Sequence, residues 1–265
     1  MLAASASLLN IPVLILDNGT SAPAKQILSP IPPQSHIDGA FTDPEKIKEL
    51  ASQVDVLTVE IEHVNVEVLE EIASTNKNLE IHPSPSTIRI IQDKLQQKKH
   101  LTSHGIPVVD FAEVSSSAEE VVAVAKSLGL PLMLKSRTLA YDGRGNYAIK
   151  SAEQVQEALA ALGDRPLYAE RWAPFFKEIA VMVVRSTAGE VKSYPVVETV
   201  HKNNICHLVF APLRSSDPQL AAKARKIAED AIKTFEGAGV FGVEMFLMED
   251  GTHIHFTSCL PNILT

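Results

Sequence analysis

Along the first part of the chain, short apolar runs alternate with segments whose apolar positions recur at helical spacing. Residues 13–16, 54–60 and 79–82 read as strands, residues 1–9 as the end of a helix, and residues 66–72 as a helix with an apolar stripe. Asp43 followed by Pro44 predicts a helix start, with the helix running to about residue 52. An aspartate accepts from the first free N–H groups, and proline has no N–H to lose there. Strand and helix in alternation imply a parallel sheet with crossover helices. Residues 1–82 therefore read as a Rossmann-like domain, incomplete because no glycine-rich first turn precedes Met1.

Residues 83–104 read as one long helix, with Ser84 or Ser86 as its cap and Gly105 as its stop. Its charged face holds Lys94, Lys98 and Lys99, a pattern that is usually just a solvated face. A strand at 108–114, an amphipathic helix at 118–128, strands at 132–135 and 147–150 and a helix at 152–162 complete an α+β lobe over residues 83–165. A third lobe, 166–265, opens on a strand at 167–172 and continues with strands at 178–184, 194–200 and 205–210. In the helix at 218–235, Leu220, Ala224, Ile227, Ala231 and Phe235 share one stripe. A strand at 240–248, a turn at 249–252 and a return strand at 253–256 follow. The fold class is thus α/β followed by α+β.

Composition changes this picture little. The chain is 45% hydrophobic and 21% charged, ordinary for a globular protein. A net charge of -8 argues against non-specific nucleic-acid binding, while leaving room for a nucleotide held by a local lysine cluster. Cys206 and Cys259 form no metal spacing and no disulfide ladder, which suits a reducing, cytoplasmic setting. No apolar run approaches the ~18 residues of a membrane span. Residues 1–17 lack the basic n-region of a signal peptide and end in a strand pattern. A domain that starts on its first helix suggests residues missing upstream.

Candidate chemistry concentrates at residues 132–146, LMLKSRTLAYDGRGN. Lys135 ends an apolar run, and Ala140, Tyr141, Asp142, Gly143, Arg144, Gly145 and Asn146 make a short loop before the next strand. This suits an anion held under a movable flap, and suits an ordinary surface hairpin equally well. Gly143, Gly145 and Ala148 match a loose dinucleotide fingerprint, but a strand follows where that motif needs a helix. Without Gly-Lys-Ser or Gly-Lys-Thr, a Walker A loop is excluded as well. Backbone N–H groups and Arg144 can still reach a phosphate.

Carboxylates supply the remaining candidates. Glu60 and Glu62, with His63, lie where a strand ends, the side on which open α/β sheets bind ligands; a solvated strand end is the equal alternative. Glu244, amid Phe241, Val243, Met245, Phe246 and Leu247, is expected to be half-buried and to need a cationic partner, as in a magnesium–nucleotide site. The alternative places it in solvent on an edge strand. Glu170 suits a ribose or adenine edge, and Glu178 begins an apolar strand.

Several segments carry a resemblance: TVEIEHV at 58–64, HPSP at 82–85, IQDKL at 91–95, LKSRTLAYDGRGN at 134–146, YAERWAP at 168–174, Lys177-Glu178, VETVH at 197–201 and GVEMF at 242–246. In this order and spacing the chain resembles the ATP-grasp enzymes of purine synthesis. The likeness is to the fungal phosphoribosylaminoimidazole carboxylase family, in the part similar to bacterial N5-carboxyaminoimidazole ribonucleotide synthetases. The resemblance implies ATP and magnesium as cofactors, with bicarbonate and 5-aminoimidazole ribonucleotide as substrates. It implies phosphate contacts for Lys94 and Lys135 beneath a flap from Ala140 to Asn146. Glu170, Arg171, Trp172 and Ala173 would form the adenine hinge, Glu178 would bind the ribose, and His201 would lie near the nucleotide. Glu244 would bind magnesium, Glu60 and Glu62 would face the ribonucleotide, and Asp142 and Arg144 would act in catalysis. The family's tendency to dimerise makes a homodimer the candidate assembly.

Two departures from the family pattern stand out. The family's first strand and phosphate-binding glycine loop would precede Met1. After about residue 253 the family's Asn-Glu-Ile-Ala-Pro-Arg segment is replaced, so that Phe256 and Thr257 stand where an asparagine and a second metal-binding glutamate are expected. His253 and His255 alternate onto one face, as a metal pair or as chance residues of a divergent tail. A catalytically impaired, truncated form that binds nucleotide or a full-length partner is therefore the alternative function.

Overall fold

The computed structural model describes residues 2–140, 144–202 and 205–261. They form two compact units, one of residues 1–59 and 63–86, the other of residues 60–62 and 87–265.

The first unit contains α1 (Leu2–Leu8), β1 (Leu16–Asp17), α2 (Pro23–Ile27), β2 (Ile37–Asp38), α3 (Pro44–Ala51), β3 (Val56–Thr58), α4 (Val66–Thr75) and β4 (Glu80–His82). Asp43 caps α3 through the N–H groups of Glu45 and Lys46, and Asn65 caps α4 through Val68. The expected parallel pairing is present, in two separate ladders: β1 with β2 and β3 with β4. The first strand is shorter than its apolar run, covering Leu16–Asp17 rather than 13–16, and α2 and β2 carry too little periodicity to be anticipated. Buried Lys25 has its Nζ 2.6 Å from the Asp17 carbonyl and 3.1 Å from that of Gly19, so a cation rather than an apolar side chain holds this loop.

In the second unit the expected long helix is two helices, α5 (Pro85–Gln92) and α6 (Lys94–Ser103). Asp93 breaks it. Its backbone is extended, and its carboxylate accepts from Leu95 and Gln96 N–H as an N-cap. A four-stranded antiparallel sheet follows, from β5 (Phe111–Val114), β6 (Leu132–Ser136), β7 (Asn146–Ile149) and β8 (Leu167–Arg171), in the order β5-β8-β6-β7. Thus β8, expected to open the third lobe, is an inner strand of this sheet. Two helices, α7 (Ala118–Leu128) and α8 (Val155–Leu162), cover one face, where Val121, Leu132, Leu134, Ile149 and Ala158 are sealed from solvent.

The six-stranded sheet comprises β9 (Phe175–Arg185), β10 (Val191–Ser193), β11 (Val197–Lys202), β12 (Ile205–Phe210), β13 (Gly239–Met248) and β14 (Ile254–Pro261), with α9 (Pro218–Lys233) between β12 and β13 in sequence. Its order is β12-β11-β9-β13-β14, with β10 on β9. Period-two alternation sends Ile179, Val181 and Val183 of β9 and Val243, Met245 and Leu247 of β13 into the core shared with α9. On α9, Ala228 and Ile232 take the deep positions, and Ile227 is only partly covered. The return strand is longer than expected. Residues 254–261 close the sheet, with Ile254, Phe256 and Cys259 in the core and the Phe256 N–H donating to the Pro107 carbonyl at 2.8 Å.

Candidate active site

The two sheets of the second unit bring the charged candidates together. Lys135 projects from β6, two residues after Met133 in the run that buries Leu132 and Leu134. Its Nζ lies 3.0 Å from Glu170 Oε2 on the adjacent strand β8. The other carboxylate oxygen, Oε1, accepts the Tyr168 hydroxyl at 2.9 Å and stands 3.0 Å from Lys98 Nζ. Glu170 is 4% exposed, and burial alone would raise its pKa; Lys135 and Lys98 outweigh that and hold it at about 2. Burial and the charge of Glu170 push the Tyr168 hydroxyl well above its usual value.

Lys94, the first residue of α6, faces β14, where its Nζ is 3.3 Å from Ser258 Oγ. Burial lowers its pKa, and the carboxylates of Glu62 and Glu244 act against that. The backbone holds it in place. Lys94 N–H donates to the Arg137 carbonyl at 2.8 Å, while the Arg137 guanidinium grips the Asp93 cap, with Nη2 2.5 Å from Oδ2. Two residues beyond Lys135, Arg137 thus ties the end of β6 to the start of α6.

On the six-stranded sheet, Glu178 of β9 pairs with His201 Nδ1 of β11 at 3.0 Å. Burial raises the Glu178 pKa, His201 opposes this, nearby Glu244 raises it further, and Lys135 of the other sheet lowers it. Glu244 lies across from Ala180 on β9 and Ser258 on β14. It is exposed, contrary to the half-buried expectation. Alternation turns it away from Val243 and Met245, and its strand is internal, so it faces the open side without lying on an edge. Strand β11 is anchored by buried Glu198, which accepts from Lys177 Nζ at 2.7 Å and Arg214 Nη2 at 2.7 Å.

The flap is framed by Ala140 on one side and by Arg144, Gly145 and Asn146 on the other. Gly145 has φ +85°, which strains any residue with a Cβ, and a Cβ there would lie 3.0 Å from Ser136 Oγ and push against it. Arg144 and Asn146 are exposed, and Asn146 pairs with Lys135 across the hairpin. Tyr141, Asp142 and Gly143 lie outside the described residues. At the end of β8, Arg171 is tied to Asp110 through Nε–Oδ2 at 2.8 Å; beyond it Trp172 is exposed and the Ala173 carbonyl accepts from Phe175 N–H. Glu62 is buried, and its carbonyl accepts from Gln92 Nε2 at 2.6 Å, whereas Glu60 is exposed. Lys135, Glu170, Lys94, Glu178, His201, Glu244 and Glu62 therefore share one electrostatic neighbourhood.

Sequence reasoning missed Lys98, Tyr168, Asp93 and Arg137. Lys98 is 1% exposed, not on a solvated face, whereas Lys99 is 44% exposed and pairs with Glu113. The signal for Lys98 is its spacing of four residues from Lys94, which puts both on one side of α6.

Among the described residues, no cluster of three or more His, Cys, Asp or Glu side chains is placed to hold a metal ion. His253 is engaged with Asp250 in the β13–β14 turn, and His255 is half-covered on β14. Magnesium needs less, since it takes one or two carboxylates together with substrate phosphates and water. Glu244 on the open face, close enough to Glu178 to raise its pKa, fits that donor set. Opposite it, β14 offers the Ser258 hydroxyl, preceded by Thr257 at the bulge, and no carboxylate.

The ATP-grasp domain family matches residues 99–257, and the ribonucleotide synthetase preATP-grasp domain matches residues 1–92. The chain belongs to the ATP-grasp family. It is 54% identical over 251 residues to the phosphoribosylaminoimidazole carboxylase of Ogataea methanolica, a match covering 95% of this chain and 45% of that protein. Among solved structures it resembles the carboxyaminoimidazole ribonucleotide synthase of Aspergillus clavatus complexed with ATP (48% identity, TM-score 0.90, 98% of this chain and 66% of that one). A structure of N5-carboxyaminoimidazole synthase from the same organism, holding ADP and 5-aminoimidazole ribonucleotide, is 46% identical with a TM-score of 0.89, covering 98% of this chain and 66% of that one. The chain spans about half the length of the curated relatives it matches. Among the described residues, no helix is long and apolar enough to cross a membrane.

Proposed function

We propose that this chain binds ATP between its two sheets and takes part in the ATP-dependent carboxylation of 5-aminoimidazole ribonucleotide with bicarbonate, in purine biosynthesis. The observation that carries this reading is the convergence of Lys135 from one sheet with Glu178 and Glu244 from the other. In the proposed arrangement Lys94 and Lys135 take up phosphate charge, and the backbone after Glu170, through Arg171, Trp172 and Ala173, meets the adenine. Glu178 accepts from the ribose hydroxyls, with His201 beside it, and Glu60 and Glu62 face the ribonucleotide. The segment from Ala140 to Asn146, which includes Tyr141, Asp142 and Gly143, is the proposed flap that excludes water, and Asp142 and Arg144 are the proposed residues that orient the reacting groups. Bicarbonate oxygen attacks the γ-phosphorus and ADP leaves; the substrate amine then captures the activated carboxyl and phosphate departs. Catalysis is positioning and charge neutralisation. Bound at Glu244, magnesium would supply additional shielding of phosphate charge. The free thiols Cys206 and Cys259 are compatible with the cytoplasm, and a homodimer is the proposed assembly.

Thr257 and Ser258 favour a second reading, in which nucleotide binds but phosphoryl transfer is slow. Losing even an outer partner of a metal site costs ~10–100-fold in affinity or activity. Phosphate release in the presence of ATP, bicarbonate and 5-aminoimidazole ribonucleotide decides between them. Release that needs all three and falls in Lys135→Met supports carboxylation. ATP binding without such release supports the second reading, and absence of both binding and release overturns the nucleotide site.

A further inference from the structure

Glu170 holds two ammonium groups, and the two differ in access. Lys135 Nζ meets Oε2 with its side chain 22% exposed, on the side shared with Glu178. Lys98 Nζ meets Oε1 from within, 1% exposed and 5.9 Å from the centre of the Phe111 ring. Tyr168 adds a third contact, again to Oε1. Were Lys135 the lone counter-ion, a phosphate arriving at its ammonium would compete with Glu170 for the same charge. A buried carboxylate losing its partner carries a large penalty.

We propose that Lys98 is a positioning residue, a permanent counter-ion that keeps Glu170 compensated so that Lys135 is released to a nucleotide phosphate. This rests on the nucleotide reading above. Lys98 does not touch the ligand in this account. It acts through Glu170, on the oxygen that Lys135 leaves unused, and Tyr168 assists from the same side.

The test is the Kd for ATP, measured by calorimetry on the full chain for wild type, K98M, E170Q and K98M/E170Q, with folding checked by thermal melts. Methionine nearly matches the stem of lysine and removes the charge. K98M is expected to weaken ATP binding about tenfold, within the range of coupling between contacting charged groups, because Lys135 is then claimed by Glu170 alone. In the E170Q background the same change is expected to alter Kd less than about twofold, since no carboxylate remains to compete. Y168F, a milder removal of an Oε1 donor, is expected to weaken binding in the same direction by a smaller factor, and it serves where K98M does not fold. An equal loss from K98M with and without Glu170 overturns the proposal, as does an unchanged Kd in both K98M and Y168F. Absence of ATP binding in the wild type instead removes the nucleotide reading on which the proposal stands.

Discussion

Replacing Asp93 by alanine probes the joint between β6 and α6. Two sets of contacts are lost. The first is the N-cap: the carboxylate accepts from Leu95 N–H at 3.0 Å and Gln96 N–H at 3.1 Å, and such a cap is worth about 1 kcal/mol. The second is the Arg137 grip, with Nε at 3.1–3.2 Å from both oxygens and Nη2 at 2.5 Å from one. Both side chains are about four-fifths covered, and a charge-assisted contact of this kind contributes about 1.5–3 kcal/mol. Asp93→Ala is therefore expected to cost about 3 kcal/mol, lowering Tm by about 6–12 °C at the usual ~2–4 °C per kcal/mol for a domain of this size. Asp93→Asn keeps an effective cap and loses the ionic grip, so it is expected to cost about 2 kcal/mol, roughly two-thirds as much. Chemical denaturation of both variants, and of Arg137→Met alone and combined with Asp93→Ala, measures the two parts. An Asn variant as unstable as the Ala variant, or additive losses in the double variant, would overturn this division between cap and ionic grip.

Three further outcomes follow from the charges and the flap. Glu170 is held at about 2 against an ordinary value of 4.5, so its contribution is present above pH 4.5 and is lost as pH falls towards 2; the acid limb of a stability titration is expected to flatten over that window in Glu170→Gln. Glu178 has its pKa raised, chiefly by burial and further by Glu244, so its charged form strains the unliganded protein. Glu178→Gln is expected to raise the Tm of the free chain while weakening ATP binding, and a fall in both would contradict this assignment. Gly145→Ala forces a Cβ against Ser136 at a positive φ and is expected to cost about 1 kcal/mol or more, measured by denaturation.

The legible parts of the chain were those where local chemistry and tertiary packing agree. Asp43 with Pro44 marked α3, and the amphipathic stripe marked α9, because capping and burial act within a few residues of sequence. The boundary between α5 and α6 is not legible in the sequence because Asp93 looks like any polar position; what fixes it as a boundary is Arg137, forty-four residues away. Lys98 and Lys99 are adjacent and alike in sequence. A rotation of about 100° along α6 sends one into the core beside Glu170 and the other to solvent beside Glu113. The apolar neighbours of Glu244 suggest a half-buried carboxylate, yet period-two alternation turns every second residue outward. Phe256 and Cys259 showed no core periodicity, and their burial depends on pairing with β13 and on the Pro107 carbonyl. The candidate site residues come from resemblance, residue by residue, while the contacts that position Lys94, Lys135 and Glu170 are long-range and leave no local signal.

Lys94, Lys135, Glu178 and Glu244 are proposed to form a nucleotide site. The most direct measurement is the thermal melting of the full chain with and without magnesium and ATP at millimolar concentration. Binding at about 100 times Kd adds about 2.7 kcal/mol. A clear rise in Tm, reduced in Lys135→Met, is the outcome expected of a nucleotide site. An unchanged Tm in the wild type at millimolar ATP would contradict it.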